Sequence, residues 1–207
     1  VSVKAVELPQ ENNQVRLVFD VTEGPRVVVS QVQIDGNEAF RDKDVVKGML
    51  TRPEGFWWFR KGEYSEEKVD DDLRNSIPAW YADRGHVDLR ILSDTLVADS
   101  APGKAILRIT VDEGQAYKVG RFEMSGNRRF SVEELSAYFP FGREVIAGDG
   151  KVLGVPFSRA AWAAATEKVT NLYANSGYIY SSVIPEEIRR TGADSSSYVD
   201  LKWSIRE

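Results

Sequence analysis

The chain has 207 residues, 42% hydrophobic and 29% charged, the balance of a folded soluble protein long enough for about two domains. Its formal net charge of −5 argues against a nucleic-acid surface, which needs a basic stripe to replace counterions around phosphates. Without cysteine it holds neither disulfides nor thiolate metal sites; it also has no apolar run long enough to span a bilayer and no signal peptide.

Absence of cysteine suits an oxidising compartment. Val1 stands in mid-pattern without a methionine, which reads as a piece of something longer. Residues 1–24 read as a β-hairpin. Val1, Val3 and Ala5 alternate with Ser2, Lys4 and Val6, and Pro9 to Asn13 is a turn cluster. Val15, Leu17, Phe19 and Val21 then alternate with Arg16, Val18 and Asp20, a period of two that predicts a strand with one buried face. A lone hairpin is marginal in water, so this one is expected to lean on its neighbour. It matches the last two strands of the modules that follow, and so reads as the closing hairpin of a truncated preceding module.

Residues 25–114 read as the first complete module. A strand over 27–34 leads into the turn Gly36-Asn37, and a short helix over 42–50 carries Val45, Val46, Met49 and Leu50 on one side. A long loop over 51–64 contains Phe56-Trp57-Trp58-Phe59. Ser65 is an N-cap candidate, with Glu66 and Glu67 in the first turn where the helix dipole favours negative charge. Val69, Leu73, Ile77 and Trp80 stripe that second helix; Pro78 is expected to kink it and Gly85 to end it. Val87, Leu89 and Ile91 alternate with Asp88 and Arg90 as a strand, and Ala105 to Val111 is the last one.

Residues 115–207 repeat the order. The strand over 117–124 precedes a capping box, Ser131 with Glu134, and a loop over 139–157 in which Gly148-Asp149-Gly150 is expected to close a small hairpin. Trp162, Ala165, Val169, Leu172 and Tyr173 stripe the second helix, Gly177 caps it, and strands follow at 179–183 and 199–205. The fold class is therefore α+β: tandem β-α-α-β-β modules, each a three-stranded mixed sheet with two helices packed on one face. The first strand is expected parallel to the last, because the helical pair forms the crossover.

The repeat itself is the strongest signal. Glu23-Gly24, Gly36-Asn37 and Phe40 recur as Glu113-Gly114, Gly126-Asn127 and Phe130, and the helix end Trp80-Tyr81-Ala82-Asp83-Arg84-Gly85 recurs as Leu172-Tyr173-Ala174-Asn175-Ser176-Gly177. In fixed order and over essentially the whole chain, these motifs resemble the POTRA domain, in particular the tandem periplasmic arrays of BamA-type outer-membrane β-barrel assembly proteins. The family usually has an aromatic after the cap glycine; Tyr178 fits and His86 departs. The resemblance implies the periplasmic part of a Gram-negative outer-membrane protein, non-enzymatic and without cofactor. Its partners would be unfolded outer-membrane proteins, accessory outer-membrane lipoproteins, adjacent POTRA modules and a C-terminal membrane β-barrel.

With the last strand central, the penultimate strand is a sheet edge, and an exposed edge is a template for a strand from another chain. The candidate edge residues are Val87, Asp88, Leu89, Arg90, Ile91 and Leu92 in the first module, and Ile179, Tyr180, Ser181, Ser182, Val183 and Ile184 in the second. Asp88 and Arg90 are expected to point outward and blunt the first edge, while Tyr180 makes the second more adhesive. Both edges can equally be plain solvated ones. Glu23, Gly24, Glu113 and Gly114 are candidate inter-module hinges. Phe56, Trp57, Trp58 and Phe59 either contact a client or fold back over the core.

No catalytic, cofactor or metal site is expected. Asp70-Asp71-Asp72 point in three directions on a helix and read as a solvated face; His86, without a second histidine, reads as a surface residue at a strand start. Gly148-Asp149-Gly150-Lys151 lacks the spacing of a phosphate loop. Two other readings stand beside the assembly role: POTRA modules of a two-partner-secretion or similar polypeptide-transporting channel, and a KH-type nucleic-acid module. The acidic balance and the missing Gly-x-x-Gly loop argue against the last.

Overall fold

The computed structural model describes residues 2–10, 14–22, 26–55, 62–142 and 145–207. Strands β1 (Ser2–Gln10) and β2 (Gln14–Thr22) form an antiparallel hairpin with Ser2 opposite Thr22. Its expected buried face is not covered: Leu17 and Phe19 are both exposed.

The first module runs β3 (Val28–Asp35), α1 (Asp42–Val46), α2 (Glu66–Asp71), a π turn (Asp72–Ser76), α3 (Ile77–Ala82), β4 (Arg90–Ala98) and β5 (Lys104–Asp112). The second runs β6 (Tyr117–Ser125), α4 (Val132–Ser136), α5 (Arg159–Asn175), β7 (Ser182–Thr191) and β8 (Ser197–Arg206). The sheet orders are β3-β5-β4 and β6-β8-β7, so the last strand of each module is central. It pairs in parallel with the first strand and antiparallel with the penultimate one, as a helical crossover followed by a hairpin requires.

The central strands bury alternate residues under the helices. Leu107, Ile109 and Val111 of β5 meet Val45, Met49, Val69, Ile77 and Tyr81, and Ala105 is buried as well. In the second module Val199, Leu201, Trp203 and Ile205 meet Leu135, Phe139, Trp162, Val169 and Tyr173. The Trp162 and Trp203 rings stack at 4.9 Å, and Trp203 Nε1 donates to Thr166 Oγ1 at 2.9 Å, which satisfies a buried indole.

Several local expectations need correcting. The first helix stops at Val46, and Leu50 is exposed. The second helix widens into a π turn ahead of Pro78, and the Ile77 N–H reaches back to the Asp72 carbonyl. Asp72 is fully buried rather than solvated, since its carboxylate accepts from the Leu50 and Thr51 amides at 2.5 and 2.7 Å. Asp70 and Asp71 do face outward, holding Arg74 and Asn75 one turn on. His86 is buried, its ring 5.3 Å from Phe40 and 5.9 Å from Tyr81, with Nδ1 3.1 Å from the Glu113 carbonyl. It fills the place that Tyr178 fills against Tyr173 in the second module.

Gly148-Asp149-Gly150 closes no hairpin. The loop instead runs along the free side of β6: the Val119 N–H donates to Val155 O at 2.7 Å, Gly154 N–H to Val119 O at 2.8 Å and Gly148 N–H to Phe122 O at 2.8 Å. The first module does the same at the start of β3, where Val29 N–H donates to Gly62 O and Glu54 N–H to Val29 O.

The Gly-Asn turns need glycine for two reasons. Gly36 and Gly126 have φ of +89° and +85°, and a Cβ on them would lie 2.1 and 2.0 Å from the Val111 and Ile205 carbonyl oxygens. Gly177 has a φ of +91° but nothing within 4 Å of its missing Cβ. Gly177→Ala therefore carries only the left-handed penalty of about 1 kcal/mol, while Gly126→Ala must also displace the end of β8 and costs more. Urea denaturation followed by the near-UV circular dichroism of the Trp162–Trp203 stack checks this; equal midpoints for the two variants would refute it.

Candidate functional site: sheet edges and the module junction

Each three-stranded sheet has two edges. The first strand's edge is partly occupied by the loop bonds just described. Among the described residues, no backbone group outside β5 pairs with β4, and none outside β8 pairs with β7.

The open strands lie farther along the chain than expected. Arg90, Ile91 and Leu92 are on β4, and Ser182, Val183 and Ile184 are on β7. Val87, Asp88 and Leu89 precede β4, and Ile179, Tyr180 and Ser181 precede β7, in the turn that follows each cap glycine. Each strand then continues well past the predicted stretch, to Ala98 and to Thr191. Ser93-Asp94 reads as a break, but Thr95-Leu96-Val97 resumes β-favouring residues, and a bulge between Ile91 and Ser93 absorbs the shift.

The two open edges differ. β7 carries Pro185, Glu186, Glu187, Arg189 and Arg190, and proline with charge is the usual protection of an edge. β4 has no proline; between Arg90 and Ala98 its only charge is Asp94. Arg90 is paired to Asp112, whose carboxyl that guanidinium and the Gly114 amide hold below the usual carboxylate range. Leu92 is 60% exposed and Val97 38%. The more adhesive edge is therefore that of the first module.

The turn before β4 does something else. Gly85 O accepts from the Tyr117 N–H at 2.9 Å, and Val87 packs against the core of the second module. Asp88 accepts from the Tyr117 hydroxyl at 2.9 Å and from Arg189 Nη1 at 2.6 Å. That bond to Asp88, with partial burial, pushes the Tyr117 hydroxyl above its ordinary value. Asp83 accepts from Ser158 Oγ at 2.7 Å and from the Ala160 N–H at 3.1 Å, so the first module supplies part of the cap of α5. Asp88 thus belongs to an inter-module junction rather than to an edge.

Glu113 and Gly114 sit inside this junction. Glu113 is buried and its carboxylate accepts from the Ala39 N–H at 2.9 Å, tying the Gly-Asn turn to the end of β5. Glu207 repeats the arrangement, accepting from Arg128 and Arg129 amides at 2.7 and 2.8 Å and from the Tyr173 hydroxyl. Burial first, and the adjoining glutamate second, push the Tyr81 and Tyr173 hydroxyls upward. Glu113 is thereby an anchor, and a Cβ on Gly114 would meet Asp88 at 3.2 Å. Glu23, Gly24 and the segment Phe56, Trp57, Trp58, Phe59 lie outside the described residues. Among the described residues, no group of three or more His, Asp or Glu side chains converges as a metal site would require.

The POTRA family model, described as a surface antigen variable number repeat, matches residues 27–114 and again 117–207. A Treponema pallidum protein provisionally named as an outer membrane protein assembly factor is 28% identical over 196 residues, 93% of this chain and 22% of that one. The outer membrane protein assembly factor BamA of Neisseria meningitidis is 23% identical over 177 residues, covering 83% of this chain and 20% of its own. The chain thus spans about a fifth of the length of these relatives. A crystal structure of Haemophilus influenzae BamA POTRA3-5 shares the fold, with a TM-score of 0.60 at 16% identity over 87% of this chain and 66% of that one.

The junction predicts a local signature. Asp83→Ala removes the bond to the Ala160 amide while Ser158 Oγ still caps Ala161 at 3.1 Å. Amide exchange at Ala160 should accelerate and that at Ala161 change little; unchanged exchange at Ala160 would mean that the modules do not meet there in solution.

Proposed function

The chain belongs to the POTRA family, and on that ground we propose that it is the periplasmic region of an outer-membrane protein assembly factor that receives unfolded outer-membrane proteins by strand addition at β4. Unfolded β-rich chains share a backbone and little else. Binding through main-chain N–H and C=O groups therefore tolerates their diversity, with side-chain pockets tuning preference. The observation that carries the reading is the contrast between the two free edges: β7 is protected by Pro185 and its charges, whereas β4 is long, nearly all exposed and apolar at Leu92, Leu96 and Val97. Names of the relatives favour assembly over a dedicated secretion channel. Docking of accessory lipoproteins would use the same kind of edge or the exposed helical face, and the parent's membrane barrel would lie beyond these modules.

An NMR titration with an extended peptide taken from an outer-membrane β-strand tests this. Shifts should concentrate on Arg90–Ala98. Val97 lies on the sheet face away from the helices, opposite Ile106, so Val97→Lys should leave stability within about 0.5 kcal/mol and weaken the peptide several-fold. Shifts confined to β7, shifts confined to residues 56–59, or no shifts at all would each overturn the β4 reading.

A further inference from the structure

The loop that closes the β6 edge is held there by its backbone. Val119 N–H donates to Val155 O at 2.7 Å, Gly154 N–H to Val119 O at 2.8 Å, Leu153 N–H to Gly120 O at 3.2 Å and Phe157 N–H to Tyr117 O at 3.1 Å. Lys118 and Pro156 face each other as an antiparallel bridge. The ends of the loop are fixed: Val145 and Phe157 are buried, and the Ala147 N–H donates to Ser136 Oγ at 3.1 Å. Between them, from Ile146 to Pro156, only Ala147 and Leu153 are even half-buried.

This pairing is irregular. A regular antiparallel strand exchanges both bonds of one residue with a single partner residue. Val119 instead donates to Val155 and accepts from Gly154, a bulge in which Gly154 has a φ of +69°. Gly148 and Gly150 also have positive φ, +86° and +72°, and nothing lies within 4 Å of a Cβ built on any of the three. These glycines recover much conformational freedom when the loop comes away. Little apolar surface is uncovered by its release, because Ile146, Val152 and Val155 are exposed already. β6 itself stays in place: its other side is paired with β8, and Val119 and Phe122 are anchored in the core.

We propose that residues 146–156 are a displaceable strap over a latent acceptor edge on β6, which an extended segment of another chain takes by running antiparallel to β6 in the strap's place. The strap shows what fits. The segment supplies N–H and C=O groups to Val119, and an apolar side chain where Leu153 packs on the core. It supplies them in regular register, without the bulge at Gly154. Lys118 and Arg121 are exposed along the edge, so an acidic residue on the solvent side of the segment adds to the fit. β6 carries no proline, so nothing in it interrupts a new ladder. Its occupation depends on strap release, whereas β4 is open at all times; the two edges are separate sites.

A cross-link tests this. Lys118→Cys with Pro156→Cys places two thiols at the exposed bridge, in a chain with no cysteine of its own. Facing antiparallel positions lie within disulfide reach. In the unmodified chain the Val119 amide should exchange about tenfold faster or more than that of Val199, its neighbour on β8, and oxidation of the K118C/P156C variant should remove most of that difference. Titrated with an extended peptide from an outer-membrane β-strand, the reduced variant should show shifts from Val119 to Phe122, and the oxidised variant none there. Val119 exchange as slow as that of Val199 overturns the proposal. So do β6 shifts that are missing from the reduced variant or that persist in the oxidised one. The reading of β4 is scored separately, on residues 90–98, in the same titration.

Discussion

The structure depends on a single pairing constraint: the last strand of each module is hydrogen-bonded on both sides. A first strand followed by two helices must return parallel to itself, and a tight turn can only return antiparallel. When both connections end on the same strand, that strand is central and the other two are edges. β5 and β8 are consequently the most buried strands of the two modules, with every second residue fully buried. The glutamate just beyond each of them, Glu113 and Glu207, ties the module's opening turn to its end.

This constraint also sorts the edges. The first strand is followed by a loop long enough to fold back along it, and that loop bonds to β3 and to β6 alike. The penultimate strand is joined to the centre by a hairpin too short to cover anything. The open edge is thus a consequence of chain connectivity and would exist whatever residues occupied it. The residues decide only how the edge is dressed, and the two modules are dressed differently. Pro185 and four charges guard β7, whereas β4 is left with Asp94 and a bulge.

Much of the fold was legible because periodicity and glycine punctuation are local. The strand alternation of β5 and β8, the capping box Ser131–Glu134 and the Gly-Asn turns all follow from residues within a few positions of one another. What was not legible depended on distant partners. Asp72 looks solvent-facing in a run of three aspartates, and only the Leu50 and Thr51 amides, across an intervening loop, make it a buried cap. His86 looks like a lone surface residue until Phe40 and Tyr81 close around it. Asp88 and Tyr180 look like strand residues because a period of two extends into the turn before each strand. Asp88 answers to the second module instead.

That last point separates two kinds of surface which the repeat superimposes. Residues 90–98 and 182–191 present open strand edges, apolar in the first and guarded by Pro185 and charge in the second. Residues 83–88 offer a helix end, a glycine carbonyl and one plug side chain, and the second module meets them. Because the two lie next to each other in sequence, the order in which a chain passes from Gly85 to Ala98 fixes the geometry of both. Bonds from Asp83 and Asp88 tie the turn before β4 to the start of α5, to Tyr117 and to β7. The same short stretch thus places a contact between folded modules, at Asp83 and Asp88, immediately before an open edge that carries Leu92, Leu96 and Val97.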